Sequence, residues 1–322
     1  MKKIITITGA AGNISYSLIF RLLSTSVYSV EDKIVLKLFD ITQFMPALQG
    51  IKYEIEDCAF PNLETIITTD NANEAFADSD LIIMAGAKPR SKGMQRSDLL
   101  LDNASIFKDQ AKIINTNAKK STIIIVVGNP ANTNALIVNH FTPNIPDENI
   151  TSLMRLDQNR AKNILSNKVK SPITSISNLV VWGNHSTTQY PNIYHSHVND
   201  VLASDLVDKE WVLNDFIPRV QNRGAEIIEH RGKSSAASAA SAIYDHVNMI
   251  INNSSDWESI GTLSKGHFNV VKDIFFSFPT QIQDGKMYIV DDLILNDFSA
   301  SQIKNSELEL IKERDIIKDI MN

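Results

Sequence analysis

The chain reads as α/β: a doubly wound parallel sheet in its first half, followed by a second, α+β domain. Two observations predict this. In the first half, short uninterrupted apolar runs alternate with stretches whose apolar residues recur at helical spacing, as in a parallel sheet covered by helices on both faces. In the second half that alternation gives way to one long helical region and then a hairpin. The 322 residues, 43% of them hydrophobic, suffice for a core in each of two domains. The expected division is 1–152 and 153–322.

Residues 3–8 form a β-rich run that ends in Gly9, and 15–23 then carry apolar residues at helical spacing. A second strand is expected over 34–39, ending at Asp40, with further strands over 81–85 and 122–127. Helices are expected between them, including 45–57 and 104–118. Beyond the boundary, a strand over 179–181 leads into Trp182-Gly183-Asn184-His185. A long helical region covers 213–251, with interruptions expected at Gly224 and Gly232. Residues 274–278 and 287–290 flank Asp284-Gly285 and read as an antiparallel hairpin. Ser306-Glu307-Leu308-Glu309 has the form of a capping box, which predicts a terminal helix from Ser306 to about 320. The sequence contains no internal repeat.

Composition excludes some functions. A net charge of −6 argues against non-specific nucleic-acid binding, which needs a basic face. Cys58 is the only cysteine, so no intrachain disulfide forms and a reducing compartment is expected. The apolar run after Met1-Lys2-Lys3 is shorter than a signal core of roughly 7–15 residues. No apolar run approaches the ~20 residues of a membrane span. A cytoplasmic protein with no membrane and no nucleic-acid partner is expected.

Gly9-Ala10-Ala11-Gly12-Asn13-Ile14-Ser15 sits between the first strand and the first helix. Small residues there let the backbone approach a pyrophosphate, and the helix N-terminus offers N–H groups and partial positive charge. The motif is a wider-spaced variant of the dinucleotide (Rossmann) fingerprint. Asp40, closing the second strand, is placed to accept hydrogen bonds from ribose hydroxyls, and its charge disfavours a 2′-phosphate, so NAD is expected rather than NADP. Gly128-Asn129-Pro130 closes another strand at the edge where open α/β sheets bind ligands. Gly86, after the 81–85 run, and Asn103 complete the expected cofactor set of Gly9, Gly12, Asn13, Ile14, Asp40 and Asn129.

Two segments carry candidate chemistry: Arg155-Leu156-Asp157-Gln158-Asn159-Arg160 and Trp182-Gly183-Asn184-His185-Ser186. A histidine suits removal of a hydroxyl proton, a buried carboxylate fixes its tautomer, and arginine matches a substrate carboxylate bidentately. On residue types alone, Asp157 and Arg160 equally fit a helix ion pair. His195 and His197 alternate as strand ligands of a metal would, but no further ligand set accompanies them, and no metal is expected. A third segment, 88–98, concentrates cations beside Pro and Gly. A mobile loop of this kind, carrying arginine, suits closure over an anionic substrate.

Together these segments resemble the malate dehydrogenases, in the cytosolic-like branch of the lactate/malate dehydrogenase family. The matching stretches are TGAAGNI, GMQRSDLL, VVGNPANTNAL, RLDQNRA and WGNHSTTQYP, in order, with SSAASAASAIYDHV, FSFP and the Asp284-Gly285 hairpin extending the likeness over nearly the whole chain. The resemblance implies reversible hydride transfer between NAD and malate. His185 would accept and donate the proton, paired with Asp157. Arg160 would hold the carboxylate beside the reacting carbon, Arg96 would polarise the carbonyl, and Arg90 would grip the second carboxylate. Asn129 would contact the substrate oxygen, and Ser238 would line the nicotinamide end of the pocket. A homodimer is implied through helices near 47–57 and 217–230.

Arg90 carries the expectation of a dicarboxylate, because burying an arginine against the methyl group of a monocarboxylic acid is costly. Another 2-hydroxy acid dehydrogenase, such as a lactate enzyme, and an inactive NAD-binding protein are the alternatives. Two departures from the family pattern stand out. Ser15 occupies the last slot of the glycine motif, and Gln95 replaces an acidic residue before the loop arginine.

Overall fold

The computed structural model describes residues 1–24, 27–88 and 96–322, with the backbone alone at Arg96. The chain forms two compact units. Met1–Ser152 and Glu313–Asn322 make up the first, and Leu153–Lys312 the second. The last ten residues therefore pack with the first unit rather than the second, where they were expected. Glu313 accepts a hydrogen bond from Thr133, and Lys108 Nζ donates to the Ile320 carbonyl at 2.6 Å.

In the first unit, β1 (Lys2–Thr8) is followed by α1 (Asn13–Ser24), β2 (Lys33–Phe39), α2 (Met45–Asp57) and β3 (Leu63–Thr69). Then come α3 (Ala72–Phe76), β4 (Leu81–Met84), α4 (Arg96–Asn117), β5 (Ile123–Val126), α5 (Ala131–Phe141) and β6 (Ile150–Leu153). The strands are parallel in the order β6-β5-β4-β1-β2-β3. Ile5, Ile7, Ile82, Ile83, Ile124 and Ile125 are all at most 1% exposed, as required of strands covered on both faces. The direction of strand addition reverses between β1 and β4. That makes the carboxyl ends of these two strands the crevice where such sheets bind ligands. Lys37 is the charged exception inside an apolar strand. Its ammonium donates to the carbonyls of Glu74 and Ala77 at 2.8 and 2.7 Å, satisfying the C-terminal end of α3.

The second unit opens with α6 (Arg155–Val169) and the short strands β7 (Ile176–Ser177), β8 (Val180–Trp182), β9 (Tyr190–Asn192), β10 (His197–Val198) and β11 (Val201–Leu202). The helices α7 (Lys209–Trp211), α8 (Ile217–Arg231) and α9 (Ala237–Asn252) follow. The unit is completed by β12 (Ser254–Leu263), β13 (Phe275–Gln283), β14 (Lys286–Ile289) and most of α10 (Asp297–Ile316), while the end of α10 and α11 (Lys318–Met321) belong to the first unit. β8 pairs antiparallel with β9, and β12-β13-β14 form an antiparallel meander. The expected turn at Asp284-Gly285 joins β13 to β14, with φ of +51° and +70°, as a two-residue hairpin turn requires. Trp182, Phe276 and Phe278 are all fully buried in this unit's core, each burial contributing about 1.5–3 kcal/mol.

Helix limits differ from the sequence reading at three places. α4 begins at Arg96, eight residues before the expected 104. Gly224 does not interrupt the helix; α8 runs through it and ends at Gly232, whose φ of +67° and N–H bond to the Ile228 carbonyl close the turn. Nor does Ser306 start a helix, because α10 begins at Asp297. Its hydroxyl, nine residues inside the helix, accepts a hydrogen bond from the Asn184 N–H instead.

Candidate active site

The first unit offers a cavity of about 590 Å³ lined by Gly9, Gly12, Asp40, Ile41, Phe44 and Gly86, among others. Its floor is set by the approach of two backbones. A Cβ on Gly9 would lie 2.5 Å from Gly86 Cα, and Gly9 adopts φ +61°. Side chains are excluded on both counts, so the glycine at each position is required. The Gly86 N–H is held by Thr8 Oγ1 at 3.1 Å. Asn13 and Ile14 open α1, where first-turn N–H groups have no intrahelical partner.

Asp40 is fixed by the backbone around it. One carboxylate oxygen accepts from the Ala11 N–H and the other from the Ile41 N–H, both at 2.9 Å. The carboxylate thereby ties the glycine turn to the end of β2 while facing the cavity. This cradle, open where a Cβ would fill it and edged by a carboxylate, fits a dinucleotide whose ribose hydroxyls donate hydrogen bonds.

Asn103, expected among the cofactor contacts, is fully buried with both amide ends engaged on Lys88. Oδ1 accepts from the Lys88 N–H at 2.7 Å, and Nδ2 donates to its carbonyl at 3.2 Å. Asn129 is exposed just beyond β5. Arg90 and the side chain of Arg96 lie outside the described residues.

In the second unit, Asp157 lies in the first turn of α6, where the helix dipole favours a carboxylate, and its side chain is 0% exposed. Three side chains, one on α6 and two from the loop between β8 and β9, aim donors at it. Arg160, one turn along α6, donates from NH1 at 3.0 Å. His185, in the loop between β8 and β9, is bonded through Nδ1. Gln189, with its amide nitrogen facing the carboxylate, donates at 3.1 and 3.2 Å. Neighbouring side chains hold α6 in place. Gln158 donates to the carbonyls of Leu179 and Trp257 and accepts from the Ser259 N–H. Arg155 is committed to Glu258 and Asn159.

The electrostatics of the pair follow from this geometry. Burial, the largest single influence, raises the Asp157 carboxyl. The charge and hydrogen bond of His185, with Arg160 behind them, outweigh burial and hold it below the ordinary carboxylate range. Burial pulls the His185 imidazole down, but Asp157 outweighs that and raises it above its ordinary value, with Arg160 opposing. The Nδ1 bond to the carboxylate fixes the ring's orientation and tautomer. Arg160 NH2 also donates to Ser235 Oγ at 3.2 Å, while its Nε is buried without a partner among the described residues. An orphaned guanidinium donor beside an imidazole is suited to a ligand carboxylate.

The structure thus brings His185, Asp157 and Arg160 together. It brings Ser235 to Arg160, whereas Ser238 lies exposed in the first turn of α9. Sequence reasoning assigned no role to Gln189 or Ser235. Gln189 stands within the WGNHSTTQYP stretch, but nothing local marks its reach to Asp157. His195, left without a functional role by the sequence, engages the Ile294 carbonyl at 3.0 Å.

A nucleotide cradle on a parallel sheet, in one chain with a His–Asp–Arg cluster on an α+β unit, defines the class of two-domain nicotinamide-dependent dehydrogenases. The profile of the lactate/malate dehydrogenase NAD binding domain matches residues 3–151, and that of the lactate/malate dehydrogenase alpha/beta C-terminal domain matches 154–320. The chain belongs to the lactate/malate dehydrogenase family. It is 41% identical to the malate dehydrogenase of Naegleria fowleri, over 99% of this chain and 98% of that one, with a TM-score of 0.96. It is 30% identical to the Trichomonas vaginalis lactate dehydrogenase solved with NADH and oxamate, over 98% of each chain, with a TM-score of 0.94. The Plasmodium falciparum malate dehydrogenase, at 22% identity over the full length of both chains and a TM-score of 0.86, shares the fold. NAD is the cofactor. Among the described residues, no helix is long and apolar enough to cross a membrane.

Proposed function

We propose that this enzyme is an NAD-dependent malate dehydrogenase, interconverting malate and oxaloacetate. The observation that carries the chemistry is the His185–Asp157 pair with Arg160 beside it. Bound NAD supplies the hydride acceptor at its nicotinamide ring. As the C–H hydride of malate leaves, His185 Nε2 takes the hydroxyl proton. The imidazolium that forms is stabilised by Asp157, and in the reverse direction it returns the proton to the carbonyl oxygen. Arg160 holds the carboxylate next to the reacting carbon, Arg96 polarises the carbonyl, and Arg90 binds the second carboxylate. Asn129 hydrogen-bonds the substrate oxygen, and Ser238 lines the nicotinamide end. Asp40 binds the adenosine ribose and selects NAD over NADP.

The choice of malate is supported by Arg90 and by the 41% identity to a malate dehydrogenase. The 30% identity to a lactate dehydrogenase favours lactate as the second reading. The enzyme works as a cytoplasmic homodimer. Steady-state kinetics with NADH and NADPH against oxaloacetate and pyruvate test the assignment. We expect kcat/KM to favour oxaloacetate and NADH each by about 10²-fold or more. A preference for pyruvate would overturn malate, and equal use of NADPH would overturn the role of Asp40. In Arg90→Leu, oxaloacetate turnover should fall by about 10²-fold or more, the loss expected for an unpaired carboxylate, while activity on monocarboxylic 2-keto acids is spared or rises. Unchanged oxaloacetate kinetics would remove Arg90 from the site.

A further inference from the structure

Three polar groups on the loop that carries His185 converge on one oxygen of one carboxylate. Asn184 Nδ2 donates to Glu309 Oε2 at 3.0 Å and Thr188 Oγ1 donates to the same oxygen at 2.6 Å, as does the Ser186 hydroxyl. One turn earlier on α10, Ser306 Oγ accepts from the Asn184 N–H at 2.8 Å and meets Thr188 Oγ1 at 3.0 Å. These contacts bracket His185 on both sides. The loop also presses its backbone onto the helix, since a Cβ at Gly183, with φ +97°, would lie 2.1 Å from Ser306 Oγ. Its stems are fixed independently by the Trp182–Tyr190 pairing of β8 and β9. Nothing in the chemistry assigned to His185, Asp157 and Arg160 uses Glu309 or Ser306. A glutamate accepting two hydroxyls and an amide on a single oxygen is nonetheless more than packing requires.

We propose that Glu309 and Ser306 are positioning residues for His185. They clamp residues 184–188 so that the imidazole keeps Nδ1 on Asp157 and Nε2 toward the reacting oxygen. The clamp acts on the proton transfer, not on cofactor binding, and it rests on the assignment of His185 as the proton carrier. A proton-transfer group displaced by about 1 Å loses up to 10²-fold in rate. A loosened loop also weakens the pairing that raises His185, so the imidazole titrates lower.

The test compares Glu309→Ala, Glu309→Gln and Ser306→Ala with the parent enzyme. The readouts are kcat, the pH dependence of kcat/KM for keto-acid reduction, and NADH affinity by fluorescence titration. In E309A, kcat should fall by about tenfold. Its alkaline limb should move to lower pH, and NADH affinity should stay within about twofold, since the Glu309 carboxylate acts on the His185 loop. E309Q keeps an acceptor oxygen and should recover most of kcat and the parent limb. S306A should move the limb the same way by less. A parent-like limb in E309A, or an E309Q as impaired as E309A, would overturn the proposal. If E309A does not fold, an unmoved limb in S306A overturns it equally. His185→Asn separates the two levels. Retained turnover there removes His185 as proton carrier, whereas a dead H185N beside an unmoved E309A removes only the clamp.

Discussion

The two units build their sites from different materials. The nucleotide cradle of the first is made of backbone: Gly9 against Gly86, the N-terminus of α1, and one carboxylate held by two N–H groups. The cluster of the second is made of side chains from separate segments, Asp157 and Arg160 on α6 with His185 and Gln189 from the β8–β9 loop. A backbone site is sensitive to added volume and indifferent to most side-chain chemistry. A side-chain site is sensitive to single functional groups and to pH.

The largest effect should come from breaking the second kind of site. On the proposed assignment His185→Asn removes the proton carrier, and kcat should fall by up to about 10⁴-fold, with NADH affinity unchanged in a fluorescence titration. If NADH affinity fell in step with kcat, the separation between the two sites would be lost.

Asp157→Asn comes next, with an expected loss of about 10²-fold in kcat and a directional change in pH dependence. With Asp157 neutral, burial and Arg160 both push the imidazole down, so His185 titrates at lower pH than in the parent. With His185 as the proposed proton carrier, reduction needs the protonated imidazole, and its rate is lost as pH rises through that pKa. The alkaline limb of kcat/KM for reduction therefore moves to lower pH, and a limb that stays in place would show that Asp157 is not the partner that raises His185. Stability follows the same pair. The contribution of His185 is fully present below the ordinary imidazole pKa of about 6.5 and is lost as pH rises through the raised folded value. That of Asp157 is present above about 3.9 and is lost as pH falls through the lowered folded value.

The first site should respond to volume instead. In Gly86→Ala the new Cβ would meet the Gly9 nitrogen at 2.9 Å, and backbone cannot yield as a flexible side chain does. NADH affinity should fall by about tenfold, measured by titration, while the pH of the kinetic limbs is unmoved. Parent-like NADH binding in this variant would show that the close approach at Gly9 does not shape the cradle.

This difference in construction also explains what the sequence made legible. The Gly9–Ser15 turn, Asp40 and the apolar strands are local patterns, readable within a few residues. β3 (Leu63–Thr69) and β6 (Ile150–Leu153) escaped because LETIITT and ITSL are too polar or too short to stand out as apolar runs. The capping-box form at Ser306 misled for a physical reason: the hydroxyl it requires is spent on a loop 122 residues away. Likewise Ser235 reaches Arg160 across 75 positions and Glu309 reaches Ser186 across 123. No spacing rule spans such distances, so His185, Asp157 and Arg160 were legible as members of a family, and the residues that hold them were not.

Ser15 gives the smallest and sharpest test of the contrast. It fills the last slot of the glycine motif, is 1% exposed, and its hydroxyl has no hydrogen-bond partner among the described residues. In a site built of backbone, only its small size should matter. An unpaired buried hydroxyl costs about 1–3 kcal/mol, and alanine removes that cost while leaving a cavity smaller than a methyl group. Ser15→Ala should therefore raise Tm by about 2–4 °C, the shift that ~1 kcal/mol produces in a unit of about 150–250 residues, with NADH affinity unchanged. A lower Tm would mean that the hydroxyl is doing hydrogen-bonding work, and that even the backbone-built site depends on a side-chain group.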